Sequence, residues 1–77
     1  MGLFSVAGVA GQIRTTWLPS GDLAVAGPTA GALEQLMFEV CRWSGRRNAD
    51  YGGWIIPSAA AERVMRGLRS RCTKTAD

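Results

Sequence analysis

The sequence lacks histidine altogether, and only one of its nine basic residues is a lysine. Without histidine, the commonest general base and metal ligand is missing. Two cysteines without a histidine do not make a zinc site of any usual spacing. Neither of the glycine motifs that bind phosphate groups, GxGxxG and GxxxxGKS/T, occurs. We therefore predict a protein that is not an enzyme and that binds no metal ion and no cofactor.

Acidic residues are few and scattered. Asp22 falls in a predicted turn and Asp50 in a predicted loop. Glu34, Glu39 and Glu62 fall on the solvated faces of predicted helices. No pair of carboxylates is expected to share a site, as a general acid and its base would.

Long apolar runs are also missing. The apolar segment 2–11 follows no basic residues and is too short to cross a bilayer, and Val6 stands where a myristoylation signal needs serine or threonine. We therefore expect a cytoplasmic protein that does not contact a membrane. The length predicts a single domain, residues 1–77, as a monomer or a small homo-oligomer.

What the sequence does contain is a strong asymmetry of charge. Residues 1–39 carry one basic and three acidic side chains, whereas residues 40–77 carry eight basic and three acidic ones. All but one of the basic residues are arginines, whose planar guanidinium group pairs well with phosphate or carboxylate. The arginine-rich half indicates an anionic partner, either nucleic acid or an acidic protein surface; the codon usage of a GC-rich genome is the alternative explanation.

Alternating residues predict strands in the first third of the chain. Segments 3–10 and 12–18 have the strand pattern, as two strands or as one long bent strand. The sequence PSGD at 19–22 predicts a turn into a return strand at 23–26.

Two apolar stripes at helical spacing predict two helices further along the chain. Thr29 is the predicted N-cap of the first helix and Ser44-Gly45 its end, with Gly45 in the left-handed conformation. Phe38 lies off the stripe, either at the flank of the core or as an exposed contact residue. After a polar loop at 46–53 and a short strand at 54–57, Ser58 is the predicted N-cap of the second helix. Residues 73–77 are predicted to be a frayed tail.

The predicted order is therefore β-β-β-α-β-α. It predicts an α+β fold in which a small antiparallel sheet receives two helices on one face. Cys41 and Cys72 fall on apolar helix positions, which favours two buried free thiols over a disulfide.

The connection between the helices concentrates aromatic and basic residues. Trp43 and Trp54 can pack against each other across the loop as a small core cluster. Alternatively, they are exposed aromatic rings among Arg42, Arg46 and Arg47, an arrangement that suits phosphate contacts and base stacking.

From residue 23 to residue 69 the sequence resembles the small strand–helix–strand–helix modules of the HARP type, which accompany annealing helicases. The resemblance rests on Arg42-Trp43 after the first helix, on the basic pair Arg46-Arg47, and on the segment WIIP at 54–57 that opens the second helix. It implies a module that binds DNA directly. Because the sequence contains no motif for recognising specific bases, single-stranded or structured DNA is then the expected ligand.

Three further arginines, Arg63, Arg66 and Arg69, are spaced three residues apart on the second helix. Such a row drifts slowly around the solvent face of a helix. Together with Arg46 and Arg47 it would form one continuous basic patch, or it is an ordinary solvated helix face.

The small size and the missing catalytic residues resemble, in general character, the inhibitors that phages and mobile elements direct against host machinery, such as the anti-CRISPR proteins. This resemblance implies an inhibitor whose partner is a host protein or a nucleoprotein complex that processes nucleic acid. The alternative is the DNA-binding module. Phe38, Trp17 and Trp43 are candidate aromatic anchors. The candidate partner-binding residues are Arg42, Trp43, Arg46, Arg47, Arg63, Arg66 and Arg69.

Overall fold

The computed structural model describes residues 2–48, 50 and 52–76. These residues form a six-stranded sheet and two helices. In chain order the elements are β1 (Gly2–Ser5), β2 (Ile13–Trp17), β3 (Leu23–Ala26), α1 (Ala32–Cys41), β4 (Arg46–Asn48), β5 (Gly53–Ile56), α2 (Ser58–Arg71) and β6 (Thr73–Ala76).

Neighbouring strands of the sheet are all antiparallel, in the order β4-β5-β3-β2-β1-β6. The predicted α+β fold, with an antiparallel sheet and two helices, is confirmed. The hairpin at 19–22 is also confirmed, because the Leu18 N–H donates to the Asp22 carbonyl oxygen and the Gly21 N–H donates to that of Leu18.

The sheet has two more strands than the sequence predicts, one at each edge. The predicted loop at 46–53 contains β4, which pairs with β5, and the predicted frayed tail at 73–77 contains β6, which pairs with β1. Both segments are polar, as edge strands usually are, and therefore lack the alternation that marks a half-buried strand. Positions 49, 51 and 77 of these two predictions lie outside the described residues. The first predicted strand is also shorter than expected, since β1 ends at Ser5 and is separate from β2.

The core lies between one face of the sheet and the two helices. In β2, Ile13 and Thr15 are buried beneath the helices, whereas Arg14 between them is exposed, as the alternation of a strand requires. The buried core residues are Phe4, Ile13, Leu23, Val25, Leu33, Met37, Cys41, Trp54, Ile56, Ala61, Val64, Met65 and Leu68.

Both predicted helix N-caps are wrong. α1 begins after Gly31, whose φ of 89° is a left-handed conformation that glycine adopts without strain, and Thr29 lies upstream of the helix. Ser58 is the first residue of α2, and its N–H donates to the carboxylate oxygen Oδ1 of Asp22 at 3.2 Å. A carboxylate from the β2–β3 hairpin thus stabilises the positive end of α2, a partner that no local sequence pattern reveals.

Two glycines permit close packing around α1. A Cβ at Gly67 of α2 would lie 3.1 Å from Cγ1 of Val40, so the glycine lets the two helices approach. Gly45 is not in the predicted left-handed conformation; α1 ends at Cys41, and a Cβ at Gly45 would lie 2.5 Å from the Ile55 carbonyl oxygen. Close approach of the chain to β5 is therefore what requires Gly45.

The two cysteines are free thiols, as predicted. Cys41 is the buried last residue of α1. Cys72 is half-buried and lies just after α2, at the junction with β6, rather than on the helix itself.

Candidate functional site

The end of α1, the turn that follows it and β4 bring arginines and aromatic rings together at one edge of the sheet. The turn closes with the N–H groups of Ser44 and Gly45 both donating to the Cys41 carbonyl oxygen at 2.9 Å. β4 then pairs with β5, which sets Arg47 opposite Trp54 and Arg46 opposite Ile55. We call this region the β4 edge.

The two tryptophans of this region do not pack against each other. Trp54 is 7% exposed, because it faces the helices from β5, whereas Trp43 in the turn is 80% exposed. The predicted packing of Trp43 against Trp54 is therefore wrong for Trp43, and the prediction of a core position is confirmed for Trp54. Phe38 takes the place of the second indole, with its ring centroid 6.1 Å from that of Trp54 at an interplanar angle of 58°.

Arg42 connects the exposed indole to the helix. Its guanidinium carbon lies 4.9 Å from the centroid of the Trp43 ring and 5.4 Å from that of the Phe38 ring. Both distances are within the range of cation–π attraction, which contributes about 0.5–1 kcal/mol at exposed sites. These contacts hold three side chains together at the surface, those of Phe38, Arg42 and Trp43. We call this group the Trp43 cluster.

Arg47 has a different environment, although it follows Arg46 directly. Its Nη1 donates to Oε1 of Glu34 at 3.0 Å, and its guanidinium carbon lies 5.8 Å from the Trp54 ring. The Glu34 side chain is only 22% exposed, so it is paired and largely covered rather than free on a solvated helix face. Arg47 thus covers a buried tryptophan and has its charge balanced by a carboxylate.

Arg46 points to the opposite face of the sheet, because successive residues of a strand alternate between the two faces. It lines a shallow cavity of about 370 Å³ together with Asp22, Ile55 and Pro57. Arg47 also lines this cavity, so the two arginines share one surface there, and Arg47 additionally contacts Glu34 and Trp54 on the helix side.

The arginines of α2 are all exposed, but two of them have acidic partners. Arg71 donates to Oε2 of Glu39 at 2.7 Å and so ties α2 to α1, while Arg69 lies 3.6 Å from Glu62. Like Glu34, Glu39 is paired with an arginine of a separate element, and no local sequence pattern reveals such a pair. Among residues 2–48, 50 and 52–76, the candidate arginines without a carboxylate partner are Arg42, Arg46, Arg63 and Arg66.

Two further observations bear on what the described residues can do. Nowhere in 2–48, 50 and 52–76 do three or more His, Cys, Asp or Glu side chains gather as ligands of a metal ion would. Over the same residues, neither helix combines the length and the apolar character that crossing a membrane requires.

The fold and the site define an α+β protein whose antiparallel sheet presents arginines and an exposed tryptophan at one edge. Compared with protein-family models, with curated proteins and with solved structures, the chain matches none of them.

Proposed function

We propose that this chain is a small non-enzymatic binding protein that blocks a host nucleic-acid-processing complex, and that the Trp43 cluster is the centre of its contact surface. The observation that carries the proposal is an indole that is 80% exposed with a guanidinium carbon 4.9 Å from its ring. Tryptophan and arginine are the residue types that dominate the energetics of protein interfaces.

The exposed indole of Trp43 provides a large apolar area that a partner can cover. A tryptophan buries roughly 150–250 Å² of surface when it is covered. At about 25 cal/mol per Å², covering the exposed part of Trp43 would contribute about 3–5 kcal/mol before the cost of association. Because Arg42 lies against the ring, less side-chain entropy is lost on binding than for a free indole.

The chemistry of the partner follows from the arginines without acidic partners. Arg42 and Arg46 lie at the β4 edge, and Arg63 and Arg66 lie on the exposed side of α2. An acidic protein surface is favoured over nucleic acid because the net charge is only +3 and three other arginines are balanced by glutamates. Binding to a nucleic acid backbone draws on many simultaneous phosphate contacts.

A second candidate function is direct binding of single-stranded DNA, as the resemblance to HARP-type modules implies. One specific observation favours it. An exposed indole beside a guanidinium group is suited to stacking on an unpaired base while the cation contacts a phosphate.

The experiment that tests the proposal uses two exposed tryptophans as a matched pair. Wild-type protein, Trp43→Ala and Trp17→Ala are immobilised, and each is exposed to a nuclease-treated host lysate. We expect an acidic host protein to be retained by wild type and by Trp17→Ala but not by Trp43→Ala. Equal retention by all three proteins would exclude the Trp43 cluster as the contact surface.

A gel-shift titration at two salt concentrations tests the second candidate. Micromolar binding of a single-stranded oligonucleotide that weakens steeply with salt and is lost in Trp43→Ala would replace the inhibitor proposal with the DNA-binding one. No shift at low salt would exclude direct DNA binding.

A further inference from the structure

A separate pocket lies at the opposite edge of the sheet, where α2 crosses above β1, β2 and β6. Its volume is about 240 Å³. The strands of the sheet are spaced about 4.8 Å apart, and the pocket lies over β2, β1 and β6, which are three to five strand spacings, roughly 14–24 Å, from β4. The residues that line it are Gly2, Thr15, Trp17, Glu62, Met65, Arg69 and Lys74.

The pocket is open because its floor carries no large side chain. Gly2 lies opposite Thr15 in the β1–β2 pair, and a Cβ at Gly2 would lie 2.8 Å from the Thr15 hydroxyl oxygen. Met65 of α2 is buried and closes the apolar side, and Trp17, the last residue of β2, is 51% exposed at the rim. The side of the pocket is therefore the aromatic ring of Trp17, and its narrow floor is formed by Gly2 and the polar side chain of Thr15.

Among the described residues, two cations and one carboxylate line the pocket. The carboxylate belongs to Glu62, which lies 3.6 Å from Nη1 of Arg69 with both side chains at least half exposed. This is the longest of the three ion pairs that join described residues, and an exposed pair of this kind contributes little to stability. Arg69 can therefore turn to a more strongly charged ligand, and Lys74 lines the same pocket.

Thr15 adds a polar group at the floor. It is the one polar residue buried in the described part of the chain, and its hydroxyl donates to the Gly2 carbonyl oxygen over a long 3.4 Å. A hydroxyl so weakly engaged can rotate to donate to a ligand oxygen instead.

We propose that this pocket binds a planar aromatic group that carries a phosphate, as in a nucleoside monophosphate. The base stacks on Trp17, and the phosphate meets Arg69 and Lys74. The volume equals that of roughly eight liquid waters and is below the usual 300–1,000 Å³ of pockets for drug-sized ligands, which favours a small ligand or the end of a longer one. Such a group is supplied either by a free mononucleotide or by the phosphorylated end of a single strand.

Calorimetric titration with thymidine monophosphate, thymidine and inorganic phosphate tests the site. We expect saturable binding of thymidine monophosphate and at least tenfold weaker binding of the other two, since each provides only half of the contacts. Titration with a 5′-phosphorylated oligothymidylate distinguishes the two sources. Tighter binding than that of the mononucleotide assigns the site to a strand end, and equal or weaker binding assigns it to the free nucleotide.

Variants of the pocket residues give changes in opposite directions. Trp17→Leu and Arg69→Gln should each weaken binding of thymidine monophosphate at least tenfold, whereas Glu62→Gln should tighten it several-fold because a competing carboxylate is removed. Arg63→Gln, on the same helix but outside the pocket, and Trp43→Ala should leave it unchanged.

The inference is overturned if thymidine monophosphate does not bind at millimolar concentration. It is also overturned if Trp17→Leu and Arg69→Gln, checked for unchanged circular dichroism, bind as wild type does. Because Trp43→Ala does not affect this titration, the two sites can fail independently of each other.

Discussion

The two edges of the sheet are built from the same residue types but present different surfaces. At the β4 edge, Phe38 and Trp54 fill the space beneath the arginines, so Trp43 is left projecting into solvent. At the β6 edge, Gly2 leaves space beneath Trp17 and Arg69, and a cavity results. The comparison shows that the packing beneath an arginine and a tryptophan decides whether they form a projection or a pocket.

The largest difference between the edges should appear in stability. Trp54→Ala removes a buried indole and should lower the free energy of unfolding by about 3–5 kcal/mol. Trp17→Ala removes a half-exposed one and should cost about 2 kcal/mol or less. Urea denaturation of both variants measures the difference, and equal losses would mean that the β6 edge is as tightly packed as the β4 edge.

The two cysteines allow a comparison of the edges that depends on pH. Cys41 ends α1, the helix that precedes β4, and Cys72 joins α2 to β6. Burial raises the pKa of the Cys41 thiol from 9.0 to about 12. The unfolded chain therefore loses this proton first, and stability should fall as the pH rises from about 9 towards 12. At pH 10 the free energy of unfolding should be roughly 1.4 kcal/mol lower than at neutral pH.

Cys41→Ala is the control for that measurement. Urea denaturation of this variant between pH 8 and pH 10 should show a shallower loss than wild type, and an identical profile would rule out the Cys41 contribution. The pKa of Cys72 is also raised by burial, an effect that the charge of Arg71 opposes. An aromatic disulfide reagent should therefore label Cys72 in the folded protein before it labels Cys41.

The smallest expected difference concerns the ion pairs at the two edges. Glu34→Gln breaks a 3.0 Å pair with a largely covered carboxylate and should lower the free energy of unfolding by about 1 kcal/mol. Glu62→Gln breaks an exposed 3.6 Å pair and should lower it by only a few tenths of about 1 kcal/mol. Thermal denaturation in low and high salt compares them. If Glu62→Gln were the more destabilising change, Arg69 would be held too firmly to meet a ligand.

The central part of the fold was predictable from the sequence because it depends on local patterns. The alternation in β2, the turn at 19–22 and the apolar stripes of both helices each predict the element that forms. The edge strands β4 and β6 were not predictable, because their polar residues show no alternation and only pairing with β5 and β1 defines them.

The candidate site was predictable in composition but not in arrangement. The sequence places Trp43 and Trp54 on either side of a loop, and only the β4–β5 register shows which indole faces the helices. The different contacts of Arg46 and Arg47 also follow from β4, a strand that the sequence does not predict. The pairs Arg47–Glu34 and Arg71–Glu39 join separate elements and have no local signal.

The most direct test of the Trp43 cluster is the affinity of the captured host protein for purified wild type, Trp43→Ala and Trp17→Ala. We expect Trp43→Ala to weaken binding by about 100-fold, the effect of losing an interface anchor of roughly 2.7 kcal/mol, with an unchanged urea midpoint. Trp17→Ala should bind as wild type does. An affinity that falls as much for Trp17→Ala as for Trp43→Ala would show that the Trp43 cluster is not the centre of the contact surface.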